Sequence, residues 1–307
     1  MKKKIYLGIV AAALALAACN NDNETTGSTV NEIRVDASIG QMTRVTTDGN
    51  QSAFETGDRI SVYAWLGTAD DAKQIAVNNS VNTLGDDGTW RASQQMMWAN
   101  NSSAHYFLGI YPVQEVSDLQ AMNFVLTPED QEASDLLYAL NTGTENKGIT
   151  PTGTPVTLTF NHLMSKLIVN LNFRSQWAET PVVESVTAVA KTEASVNFLS
   201  GEVTVQGDNK AIDIPALATP AANYACSFAG IMLPQQNGFY EIQIKVKDID
   251  QPYIYDTGAP IQMETGKYTT VNLTLGRDGI TLDKDITITD WTPLEGELNG
   301  NIFYPSV

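Results

Sequence analysis

Apolar and polar residues alternate along most of the chain after about residue 30. The alternation is clearest in residues 240–247. The apolar residues there are Tyr240, Ile242, Ile244 and Val246, and the polar residues between and after them are Glu241, Gln243, Lys245 and Lys247. This period of two is typical of a β-strand with one face on a core and the other in water. The same pattern predicts strands at 60–66, 106–111, 156–160, 167–173, 182–189, 271–275 and 286–289.

Turn-forming residues separate these predicted strands. Asn237-Gly238 is the strongest hairpin signal and predicts that the strand 240–246 pairs with the run 226–233. Thr127-Pro128-Glu129-Asp130 predicts a short helix or turn beginning at Thr127. Other predicted turns are Asp48-Gly49, Asp87-Gly88, Gly207-Asp208 and Asp278-Gly279. Many short strands between turns predict an all-β protein built from β-sandwiches.

The length of 307 residues favours two domains over one. One predicted strand ends at Phe160 and the next begins at Leu167, so we place the boundary in the short segment 161–166. The predicted domains are 32–163 and 164–307, and the short link predicts that they pack closely.

The N-terminus has the order of a lipoprotein signal peptide. Lys2–Lys4 form a basic start, Ile5–Ala15 an apolar run too short to span a bilayer, and small residues then precede Cys19. This order predicts cleavage between Ala18 and Cys19 and lipidation of the Cys19 thiol, which would anchor the protein to the outer membrane. The polar residues 19–31 are predicted to be a tether. A secretory signal peptide with an incidental cysteine is the alternative.

Charge and cysteine content narrow the choice of partners. Loss of residues 1–18 leaves 15 basic and 35 acidic side chains, a net charge of about −20. This balance argues against nucleic acid and anionic lipid headgroups as partners. Cys226 is then the one remaining cysteine, and its place in an alternating stretch predicts a small core residue.

The sequence contains few residues suited to catalysis. The two histidines, His105 and His162, fall on different predicted strands, and no G-x-S-x-G, HExxH or phosphate-binding glycine motif is present. We interpret His162 as a packed or hydrogen-bonded residue at the domain junction. The pairs Asp248/Asp250 and Asp283/Asp285 lack the spacing of a calcium loop. The sequence therefore predicts no enzyme, no cofactor and no metal site.

Two further patterns leave a glycan site open. Residues 86–90 are similar to the aspartate-box turn of sialidases, but they lack its serine, and we interpret them as a hairpin turn followed by a strand. The tryptophans at 65, 90, 98, 177 and 291 are predicted to be mostly core residues, although one could provide a stacking platform for a sugar.

A strand directly after the tether suggests a mechanism of assembly. Residues 32–39 place Ile33, Val35, Ala37 and Ile39 on one face. Arg44-Val45 follows in a polar segment where an arginine-specific protease could cut and detach the strand. A sheet that loses a strand exposes unpaired backbone and an apolar groove, which a strand of another chain can fill. The alternative is a permanent first strand.

Several runs in order resemble the fimbrillin-like family of lipoprotein pilins. These runs are 54–65 (FETGDRISVYAW), 135–139 (DLLYA), 156–169 (VTLTFNHLMSKLIV), 266–275 (GKYTTVNLTL) and 286–291 (ITITDW). Together with the residues around Cys19, they extend the likeness over nearly the whole chain. The resemblance implies two transthyretin-like (Greek-key) β-sandwich domains in tandem, export as a lipoprotein, cleavage after an arginine, and assembly by strand exchange.

Carried onto this chain, the resemblance assigns roles to particular residues. Cys19 matches the lipidated residue and Arg44 the processing site, whereas Arg34 lies inside the strand and matches less well. Residues 285–307 match the stretch that would be donated to a neighbouring subunit, although two prolines and two glycines interrupt its alternation. The apolar residues of this stretch are Ile286, Ile288, Leu294, Leu298 and Ile302.

These inferences lead to one hypothesis and one alternative. The hypothesis is a structural or accessory subunit of a cell-surface fimbria that mediates adhesion and binds other subunits by β-augmentation. The alternative is a monomeric, surface-anchored lipoprotein that binds a glycan or a host protein. A mature N-terminus at Val45 would favour the first and one at Cys19 the second.

Overall fold

A computed structural model describes residues 32–40 and 53–291, and within them the protein is almost entirely β-strand. The predictions for Ala18, Cys19, the tether, Arg44, Val45, Leu294, Leu298 and Ile302 lie outside the described residues. The first half contains β1 (Glu32–Ile33), β2 (Val35–Ile39), β3 (Arg59–Thr68), β4 (Asp71–Leu84), β5 (Trp90–Ala92), β6 (Met96–Met97), β7 (Tyr106–Tyr111), β8 (Met122–Val125), helix α1 (Gln131–Ser134), β9 (Leu137–Asn141), a 3-10 turn (Thr144–Asn146) and β10 (Val156–His162). The second half contains β11 (Ser165–Phe173), β12 (Val183–Asn197), β13 (Glu202–Asp213), β14 (Cys226–Met232), β15 (Gln235–Val246), β16 (Tyr253–Met263), β17 (Lys267–Gly276), β18 (Gly279–Leu282) and β19 (Thr287–Asp290).

The first half is organised around a seven-stranded sheet in the order β2-β10-β9-β7-β3-β4-β5. Along β3, Ile60, Val62 and Ala64 face one core, whereas Tyr63 and Trp65 face another. The central strands are therefore buried on both faces, which explains why their sequences are nearly continuous apolar runs.

The second half is a sandwich of two five-stranded sheets. One has the order β14-β11-β17-β18, with β19 also paired to β17, and the other has the order β13-β12-β15-β16, with β8 also paired to β12. Alternate residues of β11, such as Leu167 and Val169, share a core with Ile242 and Ile244 of β15. The prediction of an all-β fold is confirmed, and the transthyretin-like arrangement of two tandem domains stays a prediction.

One strand of the first half belongs to a sheet of the second. β8 pairs with residues 193–196 of β12, and Phe124 is 7% exposed within the core that fills the second half. The same core, which we call the large core, also includes Tyr63 and Trp65 from β3. The predicted domain boundary at 161–166 contains the turn between β10 and β11. The pairing of β8 with β12 and the shared hydrophobic core both join residues from the two sides of this boundary.

The predicted hairpin at Asn237-Gly238 is wrong. These residues lie inside β15, which pairs with β12 and β16, whereas β14 pairs with β11 in the other sheet. The pairing register with β16 shifts between Gln235 and Phe239, and a Cβ on Gly238 would lie 1.5 Å from the Ile261 carbonyl oxygen. The glycine therefore serves a bulge with close backbone approach, and not a turn.

Two other local predictions, a turn and a helix start, also differ from the structure. Gly207-Asp208 lies within β13, opposite a register irregularity in β12, and is not a turn between strands. The predicted helix begins later than Thr127, because Asp130 is its N-cap and accepts a hydrogen bond from the Ala133 N–H at 2.9 Å. Thr127 instead closes a turn with Asp130 that leads into the helix.

Candidate assembly site at the first strand

The first described segment, residues 32–40, pairs with the sheet on two sides. β2 runs parallel to β10, with Val35 opposite Val156 and Ile39 opposite Phe160. β1 pairs antiparallel with β6, with Ile33 opposite Met96. Residues 32–40 thus pair with β10 on one side and with β6 on the other. We call the space that these residues fill the first-strand slot.

Hydrogen bonds show which edge of β2 faces β10. The Val156 N–H donates to the Arg34 carbonyl oxygen at 2.7 Å, and the Gly40 N–H donates to the Phe160 carbonyl oxygen at 2.7 Å. Backbone groups alternate in direction along a parallel strand, so the Ala37 carbonyl points away from β10. It accepts a hydrogen bond from the Trp90 indole Nε1 at 3.2 Å. Since Trp90 belongs to β5, the indole connects the two terminal strands of the seven-stranded sheet.

Side chains of the segment are buried in the predicted alternating pattern. Ile33 and Val35 are 2% and 4% exposed in the core of the first half, and Ala37 and Ile39 are half-buried against the same core. Burial of side chains the size of Ile33 and Val35 stabilises a protein by about 1.5–3 kcal/mol each. The segment is therefore part of the folded core and not a peripheral tail.

Aromatic rings pack beside the slot. The Phe54 ring lies 5.2 Å from the rings of both Trp90 and Phe160, with edge-to-face geometry in each pair. Phe160 and Trp90 belong to the same core as Ile33 and Val35. Residues 32–40 therefore cover both an apolar floor and one backbone edge of β10.

The predicted donor stretch begins on a paired strand. β19 pairs antiparallel with β17, with Ile288 opposite Thr269, and Ile286 packs against the large core. Trp291 continues this packing, because its ring stacks on the His162 imidazole at a centroid distance of 3.9 Å. Ile286 and Ile288 therefore already have partners within their own chain.

The two histidines lie in separate structural environments. The His162 Nδ1 is 2.8 Å from the Asp135 Oδ1, and its ring stacks on Trp291, so His162 is a packed, hydrogen-bonded residue. His105 is fully buried, and its Nε2 accepts a hydrogen bond from the Ala99 N–H at 3.0 Å. Burial lowers the pKa of His105, which favours the neutral ring.

The remaining candidate groups have structural contacts. Asp87 accepts hydrogen bonds from the N–H and hydroxyl of Thr89 and pairs with Arg91, and these contacts, the Arg91 bond first, hold the pKa of its carboxyl below its usual range. This is a hairpin turn, as interpreted from the sequence. Cys226 is half-buried against the large core, and burial raises its pKa to about 11.

Neither a metal cluster nor a membrane-spanning helix is found in the described ranges. Residues 32–40 and 53–291 contain no group of three or more histidine, cysteine, aspartate or glutamate side chains suited to a metal ion. No helix in these ranges has the length and apolar character needed to cross a bilayer.

The sequence predicted the apolar face of the slot but not the Trp90 contact. The indole lies 53 positions from Ala37, and no local pattern connects the two residues. The stack of Trp291 on His162 was also not predicted, because it depends on the last residue of β10 meeting the residue that follows β19.

The fold is that of an all-β protein in which a short strand, β2, forms one end of the seven-stranded sheet. The sequence profile of the fimbrillin-like family matches residues 43–291. The chain therefore belongs to the fimbrillin-like family, as the sequence resemblance indicated. Because this is a family of fimbrial structural proteins, membership also confirms the prediction that the chain is not an enzyme.

Solved structures from Bacteroides share the fold. A candidate cell adhesion protein from Bacteroides uniformis has a TM-score of 0.63 and 20% identity, over 85% of this chain and 99% of that one. Another from Bacteroides ovatus has a TM-score of 0.63 and 19% identity, over 85% and 98%. A fimbrial protein from Bacteroides vulgatus has a TM-score of 0.54 and 11% identity, over 85% and 100%. At these identities the likeness concerns the fold alone. No curated protein matches the sequence.

Proposed function

We propose that this chain is a structural or accessory subunit of a cell-surface fimbria that assembles by protease-triggered strand exchange and mediates adhesion. Membership in the fimbrillin-like family supports the fimbrial role. The observation that carries the strand-exchange step is the position of residues 32–40, which fill a slot between β10 and β6 with buried Ile33 and Val35.

Processing would convert a stable precursor into a subunit that accepts a strand. Cleavage between Arg44 and Val45 leaves residues 32–40 held by noncovalent contacts alone. Their departure exposes the backbone edge of Val156–Phe160 and the apolar floor of the slot, and both favour pairing with a strand from another subunit. An arginine-specific protease is therefore a required partner.

The N-terminus would hold the precursor at the cell surface. Export as a lipoprotein through Cys19, after cleavage at Ala18, places it on the outer membrane, where diacylation provides durable attachment. Cleavage at Arg44 then releases the processed chain from its anchor. The stretch 285–307, with Ile286, Ile288, Leu294, Leu298 and Ile302, is the proposed donor to another subunit.

The first testable prediction concerns Arg44→Lys in the native host. This variant keeps the positive charge but removes the arginine that an arginine-specific protease recognises. The protein should therefore keep Cys19 as its mature N-terminus and should no longer form the ladder of oligomers on unboiled gels. N-terminal sequencing and gels of surface protein measure both effects.

Arg34→Lys is the matched control and should leave the Val45 N-terminus and the ladder unchanged. Unchanged processing in the Arg44→Lys variant would refute the assigned cleavage site. A wild-type protein that starts at Cys19 and stays monomeric would instead support the alternative of an anchored glycan- or host-binding lipoprotein.

A further inference from the structure

A cavity of about 340 Å³ opens to solvent between β4 and the loop 112–121 that follows β7. Its size falls within the range of about 300–1,000 Å³ that is usual for small-molecule sites. The loop leads into β8, which pairs with β12, so the cavity lies where the chain passes from the first half to the second. The residues that line it are Tyr63, Asn78, Asn79, Glu115, Val116 and Ser117.

A β-bulge forms the wall on β4. The register between β3 and β4 shifts so that Asn78 and Asn79 together lie opposite the single residue Tyr63. Asn79 has a φ of 47°, in the left-handed region that asparagine adopts more readily than most residues. Bulges redirect side chains and occur often beside functional sites. Here the bulge brings two neighbouring amide side chains to one cavity.

One of these amides has an unsatisfied acceptor. The Asn79 Oδ1 is buried and has no hydrogen-bond partner in the described part of the chain. A buried polar atom without a partner is unfavourable and rare in folded proteins. The χ2 torsion of asparagine is soft, so the amide can turn towards a hydroxyl or N–H group that enters the cavity. Asn79 therefore provides an acceptor for a ligand.

The opposite wall is held in place by two buried hydroxyl groups. The Ser61 Oγ donates to the Gln114 carbonyl oxygen at 3.1 Å and accepts from the Gln114 N–H at 3.0 Å. The Tyr63 hydroxyl donates to the same carbonyl oxygen at 3.1 Å and accepts from the Val116 N–H at 3.2 Å. These four hydrogen bonds fix the loop backbone on β3, so the cavity is formed before any ligand binds.

The charge of the lining selects a class of ligand. Glu115 is the one charged residue among the lining residues of the described ranges. Burial, and after it the Glu115 carboxylate, raises the pKa of Tyr63, so this negative charge acts at the base of the cavity. A carboxylate without a neighbouring cation repels anionic ligands but accepts strong hydrogen bonds from neutral hydroxyl groups.

We propose that this cavity binds a neutral sugar residue of a glycan. The Glu115 carboxylate and the Asn79 amide oxygen accept hydrogen bonds from sugar hydroxyls. The Asn78 amide and the Ser117 hydroxyl can both donate and accept, and Val116 offers an apolar contact to the C–H face of the ring. The inference rests on the adhesive part of the proposed function and names a site and a ligand class for it.

The inference can be tested by NMR titration of the lipid-free chain 20–307, labelled with ¹⁵N. The ligands are the methyl glycosides of glucose, galactose, mannose and N-acetylglucosamine, with methyl glucuronoside as the acidic counterpart of the glucoside. We expect at least one neutral glycoside to cause saturable shifts centred on the amides of 78–79 and 115–117. The glucuronoside should bind more weakly than the glucoside.

Two variants connect binding to the cavity. Ser117→Phe places a large ring at an exposed position on its rim and should abolish the shifts, whereas Ser175→Phe makes the same change at an exposed position after β11 and should leave them unchanged. Glu115→Gln should weaken binding of neutral glycosides by about ten-fold, because hydrogen bonds to a charged acceptor are lost. It should also narrow the difference between the glucoside and the glucuronoside.

Several results would overturn the inference. These are the absence of saturable shifts with all four neutral glycosides, shifts confined to residues elsewhere, tighter binding of the glucuronoside, and unchanged binding in either Ser117→Phe or Glu115→Gln.

The Arg44→Lys variant separates this inference from the assembly step. It should bind the same glycoside as the wild type, because the cavity contains no part of the processing segment. A wild-type chain that forms the ladder of oligomers but binds none of the glycosides overturns the sugar site alone. A chain that binds the glycoside but never forms the ladder overturns the proposed assembly and supports the sugar site.

Discussion

At the scale of single residues, the Trp90 indole is the contact that links the two ends of the seven-stranded sheet. Its Nε1 donates to the Ala37 carbonyl at 3.2 Å, on the edge of β2 that β10 does not cover. The ring itself is buried in the same core as Ile33 and Val35. The residue therefore provides both an apolar surface and a directional hydrogen bond to the first strand.

Trp90→Phe should destabilise the attachment of the first strand. The variant keeps an aromatic ring but loses the N–H, which leaves the Ala37 carbonyl without this donor and should lower the free energy of unfolding by about 0.5–1.5 kcal/mol, besides a packing loss. It should also speed release of residues 32–40 from the chain cut at Arg44. Chemical denaturation and peptide-release kinetics measure the two effects.

Trp177→Phe is the matched control, because the Trp177 indole also donates to a backbone carbonyl, that of Leu275, at 3.0 Å. It should lower stability by a comparable amount without changing the release rate. Equal acceleration of release in both variants would contradict the specific role of Trp90.

His105 predicts a pH dependence of stability. Burial lowers its pKa from the ordinary value of 6.5, so the unfolded chain takes up a proton before the folded chain does as the pH falls. The stabilisation from neutral His105 is complete above pH 6.5 and is lost on acidification, with a slope of at most about 1.4 kcal/mol per pH unit.

His105→Gln should remove this contribution, because the amide can accept from the Ala99 N–H without titrating. The difference in unfolding free energy between wild type and variant should be largest near pH 7.5 and shrink towards pH 5.5. Denaturation series across this range provide the measurement. A difference that stays constant with pH would show that His105 does not titrate as inferred.

At the scale of elements, the first strand should contribute unequally along its length. Ile33→Ala should lower the free energy of unfolding by about 2–5 kcal/mol, since it removes a fully buried side chain and leaves a cavity. Ile39→Ala makes the same change on the same strand at a half-buried position and should cost clearly less. Denaturant titrations of the uncleaved chain compare the free energies of unfolding of the two variants. Equal losses of stability would contradict the inference that Ile33 contributes more than Ile39 because it is more deeply buried.

Most strands followed directly from local pattern. The predicted strand at 106–111 coincides with β7, and those at 60–66 and 167–173 lie within β3 and β11. Alternation was informative at these positions because each strand packs at least one face on a core. Pairing partners were harder to predict, as the Asn237-Gly238 error shows, because a glycine required by a bulge and one required by a turn look alike in sequence.

At the scale of the whole molecule, β8 connects the two halves. Phe124 of β8 lies opposite Ala194 of β12 and is 7% exposed in the large core. Phe124→Ala should cost about 3–5 kcal/mol and lower the protection of both β7 and β15 in hydrogen exchange, because the halves share this core.

Val125→Ala is the control on the neighbouring residue, which is 59% exposed and should leave protection in both halves nearly unchanged. Loss of protection confined to one half in Phe124→Ala would show that the halves open independently.

The sequence by itself determined the all-β class, most strand positions, the alternating face of residues 32–39 and the family. These properties depend on local periodicity or on motifs in a fixed order, and both can be identified in the sequence without a structure. Tertiary structure alone decided that this segment lies between β10 and β6, that the Trp90 indole donates to its other edge and that β8 pairs with a strand of the second half. Each of these depends on contacts between residues far apart in sequence, because burial and backbone pairing are properties of the folded chain and leave no local pattern.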